Sequence, residues 1–249
     1  MTIIFPKKKE FLNKFKKKEN QILWTTLKSD LDTPVSTYLK LCEKKANSFL
    51  LESVQDGTYR GRYSIIGFDP DIIWTCKKGI AYKKKLKKKK SKFVKDEIKP
   101  LSSLQNLINS SKINLPKHLP PMSAGIIGYL GYETIEQYEK LPKRKKNKIN
   151  IPDGFFIRPT ILAIFDNIKN EITLISPYWY HNEKEFANDY KKISSNLKKL
   201  KNLIDSPLKY KNKKPIKKFI KPKSNIKKNT FLEMIKKAKS YIHEGDIFQ

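Results

Sequence analysis

The chain predicts an α+β fold, built mainly of antiparallel sheets with flanking helices. Short strand-like runs follow one another at 48–54, 63–66, 71–76 and 80–82, a rhythm that favours antiparallel neighbours over crossover units. A second pair of runs, 161–165 and 171–175, flanks a turn-forming Asn167 to Asn170 segment. Between and after these runs, apolar residues recur at helical spacing. With 249 residues and 38% hydrophobic content, the chain can build a core of one large or two smaller domains.

Residues 1–22 read as a basic tail, because Lys7-Lys8-Lys9 appears there without an apolar h-region. At Asp32-Thr33-Pro34 a helix starts, with Thr33 as N-cap and Pro34 at the first helical position, where a missing N–H costs nothing. Val35, Tyr38, Leu39 and Cys42 then share one face. The runs 48–54 and 63–66 make a hairpin around a long connection holding Asp56, Gly57 and Gly61. Glu52, Ser53, Arg62 and Ser64 stand in or beside these runs where a plain core would use Val or Ile. Such groups need partners.

Residues 83–92 carry eight lysines in ten positions and read as an exposed hairpin tip or loop. Leu101, Leu104, Leu107 and Ile108 mark a helix, and the prolines between 116 and 121 break the chain after it. Gly125, Gly128 and Gly131 alternate with Ile and Tyr, a pattern of close strand packing rather than a phosphate loop. A basic amphipathic helix is expected over 182–203, and a Lys/Pro/Asn-rich linker over 206–228. Thr230 with Glu233 then reads as a capping box, Phe231, Met234, Ile235, Ala238, Tyr241 and Ile242 keep the 3.6 period, and Gly245 ends the helix. The last four residues begin a strand without a partner, so the expected organisation is a tail (1–22), a domain (23–205), a linker (206–228) and the truncated start of a second domain (229–249).

The formal charge of +30 invites a polyanion-binding reading. Yet of 54 basic residues only Arg60, Arg62, Arg144 and Arg158 are arginine, and nucleic-acid readers recruit arginine for bidentate contacts. Lysine on solvated faces of an A/T-biased coding sequence accounts better for the excess, so neither nucleic acid nor membrane is expected as a partner. Cys42 and Cys76 are too few for a disulfide scaffold or zinc site, and no run reaches the ~18 apolar residues of a membrane span. A cytoplasmic location is expected. Glu133, Glu136 and Glu139, three residues apart, read as a solvated helix face, and no nucleophile–base constellation appears.

Several ordered motifs point further. Leu50-Leu51-Glu52-Ser53, Gly61-Arg62-Tyr63-Ser64-Ile65-Ile66-Gly67 and Asp69-Pro70 are followed by Gly125-Ile126-Ile127-Gly128-Tyr129-Leu130-Gly131-Tyr132-Glu133 and Glu139-Lys140-Leu141-Pro142. Pro152-Asp153, Thr160-Ile161-Leu162-Ala163-Ile164-Phe165-Asp166, Ala238-Lys239-Ser240-Tyr241-Ile242 and Gly245-Asp246-Ile247-Phe248-Gln249 complete the series. In this order the set resembles the N-terminal portion of anthranilate synthase component I, a chorismate-using family. The resemblance implies conversion of chorismate and ammonia to anthranilate and pyruvate in tryptophan biosynthesis, with ammonia supplied by a glutamine amidotransferase subunit. It also implies a Mg2+ ion and catalytic residues downstream of Gln249, so that these 249 residues alone are expected to be inactive. Within the chain, it implies feedback inhibition by tryptophan at Leu51, Glu52, Ser53 and Arg62. Glu52 would balance the ammonium, Ser53 and Arg62 would bond the carboxylate, and apolar neighbours would cover the indole. A purely structural Glu52–Arg62 pair across the hairpin is the competing account. Aminodeoxychorismate synthase component I shares the scaffold and is the alternative activity; a basic polyanion-binding protein is the alternative of another class.

Overall fold

The computed structural model describes residues 2–55, 59–86, 91–140, 150–180, 186–208 and 221–249. The chain divides into two units, Met1–Tyr210 and Lys211–Gln249, a division that falls inside the expected linker.

The first unit holds an eight-stranded sheet in which every pairing is antiparallel. Its strands are β1 (Gln21–Lys28), β2 (Phe49–Gln55), β3 (Tyr59–Lys77), β4 (Ile80–Lys85), β5 (Val94–Lys95), β6 (Ile127–Leu130), β7 (Gly154–Asp166) and β8 (Glu171–Tyr178). Helices α1 (Lys8–Lys16), α2 (Pro34–Cys42), α3 (Pro100–Ser110) and α4 (Phe186–Asp205) surround it. Strands β3 and β7 form its spine, pairing from Tyr63↔Asp166 to Cys76↔Gly154. Near one end this spine is flanked by β2 on one side and by β8 and β1 on the other; near its other end it is flanked by β4 and β5, and by β6.

The two runs expected as separate strands, 63–66 and 71–76, are therefore one strand that bends. At the bend Pro70 faces Pro159, the register slips before Ile72, and Asp69 takes a positive φ of 50°. Neither proline can donate to the ladder, so pairing lapses there without splitting the strand. A buried ion pair spans the bend. Arg158 donates from Nε to Asp71 Oδ1 at 2.8 Å and from Nη2 to Asp71 Oδ2 at 2.7 Å, with both side chains 9% exposed. Its Nη1 donates to Ser111 Oγ at 3.3 Å, and its guanidinium lies 4.1 Å from the Trp179 ring centroid.

Alternation along the strands sorts the core into layers. Leu23, Ile66, Phe68, Ala163, Phe165, Ile172 and Leu174 meet the helices, while Ile22, Ile65, Leu162, Ile164 and Ile175 face the segment carrying Ile113, Leu115 and Leu119. Beyond the bend, Trp74, Cys76 and Ala81 pack on Leu104 and Leu107 of α3, and Trp74 Nε1 donates to Ser103 Oγ at 2.9 Å.

The expected basic tail is not one: residues 8–16 form α1, and Phe11 and Phe15, one helical turn apart, are buried in the helix-covered core. The boundary expected after residue 22 falls within β1. Helix α2 starts as expected, with a reciprocal Thr33–Ser36 capping box, but its buried face is Pro34, Thr37, Leu41 and Cys42, and Val35 is exposed. The lysine run is partly strand, since β4 continues to Lys85; residues 87–90 lie outside the described residues. The β7–β8 hairpin turns at 167–170 as expected. Helix α4 begins at Phe186, and residues 182–185 of its expected span lie outside the described residues.

In the second unit, α5 (Lys228–His243) starts two residues before Thr230, with Lys227 as N-cap and no side-chain cap hydrogen bond. The expected Thr230–Glu233 capping box is therefore not formed, because both residues already lie inside the helix. Gly245, at a φ of 81°, follows its end as expected.

Removing the cation of the buried pair leaves Asp71 uncompensated across the bend. Arg158→Met should lower the free energy of unfolding by about 3–5 kcal/mol, measured by urea denaturation; a loss below ~1 kcal/mol would contradict the role given to the pair.

Candidate functional site

The β2–β3 hairpin carries the residues expected to contact an inhibitor. Leu51 faces Ile65 and Glu52 faces Ser64, and the register shifts between Glu52 and Val54, which sets Ser53 at an irregularity of the ladder. Alternation sends Leu51 and Glu52 to opposite faces. Strand β2 pairs with β3 alone among the described residues, so this segment forms a sheet edge. Leu51 is 46% exposed and Glu52 is exposed, whereas Ser64 is buried. The Ser53 side chain and the connection at 56–58 lie outside the described residues.

The expected half-buried polar cluster is thus divided. Ser64 belongs to the interior, Glu52 to the surface, and Arg62 to a different partner. Arg62 Nη2 donates to Asp166 Oδ2 at 3.0 Å, and Nε lies 3.3 Å from both Asp166 oxygens. The carboxylate that holds Arg62 comes from the β7–β8 turn, not from Glu52 across the hairpin. Asp166 Oδ1 also accepts from Ile168 N at 3.1 Å and Lys169 N at 3.3 Å. Asn167 adds two bonds, from Nδ2 to Gly61 O at 2.7 Å and from its backbone N to Arg62 O at 2.8 Å. Sequence reasoning placed Asp166 in a family motif and Asn167 in a turn but gave neither a part in holding Arg62, because Arg62 stands 104 residues from Asp166.

The glycine motif resolves into edge strand β6 and a 3₁₀ helix, Tyr132–Gln137. A Cβ on Gly128 would lie 1.9 Å from Phe155 O, so the close strand approach inferred from the sequence is real. Asp153 fastens this segment: Gly131 N and Thr134 Oγ1 donate to its carbonyl at 2.7 and 3.3 Å. Glu133 and Glu136 stand one turn apart on the 3₁₀ helix, and Glu139 is exposed beyond it. Among the described residues no group of three His, Cys, Asp or Glu could hold a metal ion. No helix among them is long and apolar enough to cross a membrane. Burial pushes the Cys42 thiol up to about 12, which keeps it protonated and unreactive.

Burial alone would raise the Asp166 carboxyl, but the hydrogen bonds from Arg62, Lys169 N and Ile168 N outweigh it and hold it below its ordinary value. A folded-state value below the unfolded one stabilises the protein above the unfolded value, and that contribution is lost as pH falls through the folded value. The stability gap between the wild type and Asp166→Asn should therefore be constant near neutrality. It should shrink as pH falls below ~3.9, measured by denaturation across the acid range; a gap that is flat or widens there would contradict the assignment.

The chain is similar to known proteins over most of its length. The family model described as chorismate binding enzyme matches residues 47–249. Anthranilate synthase component 1 of Cereibacter sphaeroides is 36% identical over 233 residues, covering 93% of this chain and 47% of that protein. The Thermus thermophilus protein of the same name is 30% identical over 226 residues, covering 90% and 45%. The chain thus spans about half the length of the curated relatives it matches. The crystal structure of anthranilate synthase component I from Streptococcus pneumoniae covers 88% of this chain and 46% of that one, with a TM-score of 0.51 and 21% identity, a likeness of fold. Ordered motifs, an antiparallel α+β architecture and a family match over most of its length together establish that the chain belongs to the chorismate binding enzymes.

Proposed function

We propose that this chain is part of an anthranilate synthase component I. The complete protein would convert chorismate and ammonia to anthranilate, pyruvate and water: nitrogen adds at C2 as the 4-hydroxyl leaves, and elimination of pyruvate then restores the aromatic ring. Ammonia would come from a glutamine amidotransferase subunit, the component II that the relatives' numbering implies. The observation that carries the reading is similarity to proteins named anthranilate synthase component 1 over about nine-tenths of the chain. Mg2+ remains part of the proposal for the complete protein, and none of the described residues is given to it. The 249 residues by themselves are proposed to be inactive, since the chain matches only about half of each of these relatives.

The contribution proposed for this part is regulatory. Tryptophan would dock at the β2 edge, with the exposed Leu51 offering apolar surface, Glu52 meeting the ammonium and Ser53 bonding the carboxylate. Inhibition would follow from tighter binding of tryptophan to the state that holds chorismate poorly.

The full-length protein, supplied with chorismate, ammonia and Mg2+, should release fluorescent anthranilate; 4-amino-4-deoxychorismate as the product would overturn the assignment in favour of aminodeoxychorismate synthase. In the same protein, Ser53→Phe should raise the half-inhibitory tryptophan concentration roughly tenfold or more, with uninhibited kcat largely intact. Unchanged inhibition would remove Ser53 from the pocket.

A further inference from the structure

We propose that Arg62, Asp166 and Asn167 form a latch that positions the β2–β3 hairpin for tryptophan inhibition, with Arg62 acting as a positioning residue rather than an inhibitor contact. The inference rests on the proposed tryptophan site at the β2 edge.

The hairpin needs an external hold. Strand β2 pairs only with β3 among the described residues, its register slips at Ser53 before resuming at Val54↔Arg60, and β3 pairs with β7 only from Tyr63 onward, so the ladder holds residues 59–62 of β3 from one side. The latch fastens the β3 limb just after the connection. Side chain and backbone of Asn167 grip Gly61 O at 2.7 Å and Arg62 O at 2.8 Å, two consecutive carbonyls of that limb. The Arg62 side chain reaches back to Asp166, whose Oδ1 is held in turn by two backbone N–H groups of the β7–β8 turn. Four residues at the turn end of β7 and two of the hairpin are thereby joined beyond the last β3–β7 pair, Tyr63↔Asp166.

The same geometry commits one edge of the Arg62 guanidinium to the turn. Its Nε and Nη2 are spent on Asp166, and its guanidinium lies 4.8 Å from the Tyr63 ring centroid. A ligand carboxylate approaching the Nε–Nη2 edge would have to displace a carboxylate already fixed by its own turn, in a fork geometry that suits it. Asp166, at 7% exposure, is buried, whereas Leu51 and Glu52 are exposed. It therefore acts on the pocket through the position of the hairpin.

The test uses the full-length protein assayed with ammonia, comparing wild type, Asp166→Asn, Asn167→Ala and Ser53→Phe for kcat, chorismate KM and half-inhibitory tryptophan. The latch predicts that Asp166→Asn and Asn167→Ala each raise the half-inhibitory concentration about fivefold or more while kcat and KM stay within about twofold. Asn167→Ala leaves the ion pair in place, so it reports on the latch even if Asp166→Asn fails to fold. If Ser53→Phe relieves inhibition and the two latch variants do not, the latch is overturned and the pocket stands. Latch variants that lose kcat in parallel with inhibition would show a structural role only and overturn it as well. A wild-type enzyme indifferent to tryptophan would overturn the pocket and the latch together.

Discussion

The sheet of the first unit depends on the buried Asp71–Arg158 pair. Two long strands run its length, and both carry a proline at the same level, where ladder hydrogen bonds cannot form. Something other than the ladder must hold the strands there. Arginine supplies it because its planar fork meets both oxygens of one carboxylate, and the remaining nitrogen reaches Ser111 just beyond α3. Trp179, just past the end of β8, covers the guanidinium and donates its own N–H to Ser111 O at 3.2 Å. Burying two charges is costly in isolation, and here the cost is offset by satisfied hydrogen bonds at the place along the β3–β7 spine where backbone pairing lapses.

Because the spine stays continuous through the bend, one sheet can serve two surroundings. On one side of the bend it is covered by α1, α2 and α4 on one face and by the segment around Leu115 on the other. On the other side it packs on α3 and carries β6 and the 3₁₀ helix fastened by Asp153. The motifs that announced the family are distributed over both parts. Most of them are structural: Gly128 admits a neighbouring backbone, Asp153 anchors a turn, and Asp69-Pro70 makes the bend. The hairpin edge at Leu51, Glu52 and Ser53 differs, because an apolar and an acidic side chain are exposed there beside a slip in the ladder.

The high positive charge has a structural counterpart. Lysines occupy the outer faces of α1 and α4 while their inner faces bury Phe11, Phe15, Leu197, Leu200 and Ile204. Lys40 shows what happens when one is drawn inward: it pairs with Asp32 at 2.7 Å and caps the Ile204 carbonyl at 2.6 Å, near the end of α4.

The sequence by itself determined what depends on near neighbours. The antiparallel runs, the turn at 167–170, the Thr33 cap of α2, the stop at Gly245 and the close approach at Gly128 all follow from periodicity, φ preference or the absence of a Cβ. The ordered motifs likewise placed the chain in its family. Tertiary structure decided what depends on distant partners. It made β3 one strand across a proline, turned a lysine-rich tail into a packed helix through Phe11 and Phe15, and gave Arg62 to Asp166 instead of Glu52. It also brought Arg158 to Asp71, 87 residues away. An ion pair leaves no local trace of its partner, because side-chain charge states only that a counterion is needed, and the fold alone chooses which one comes within reach.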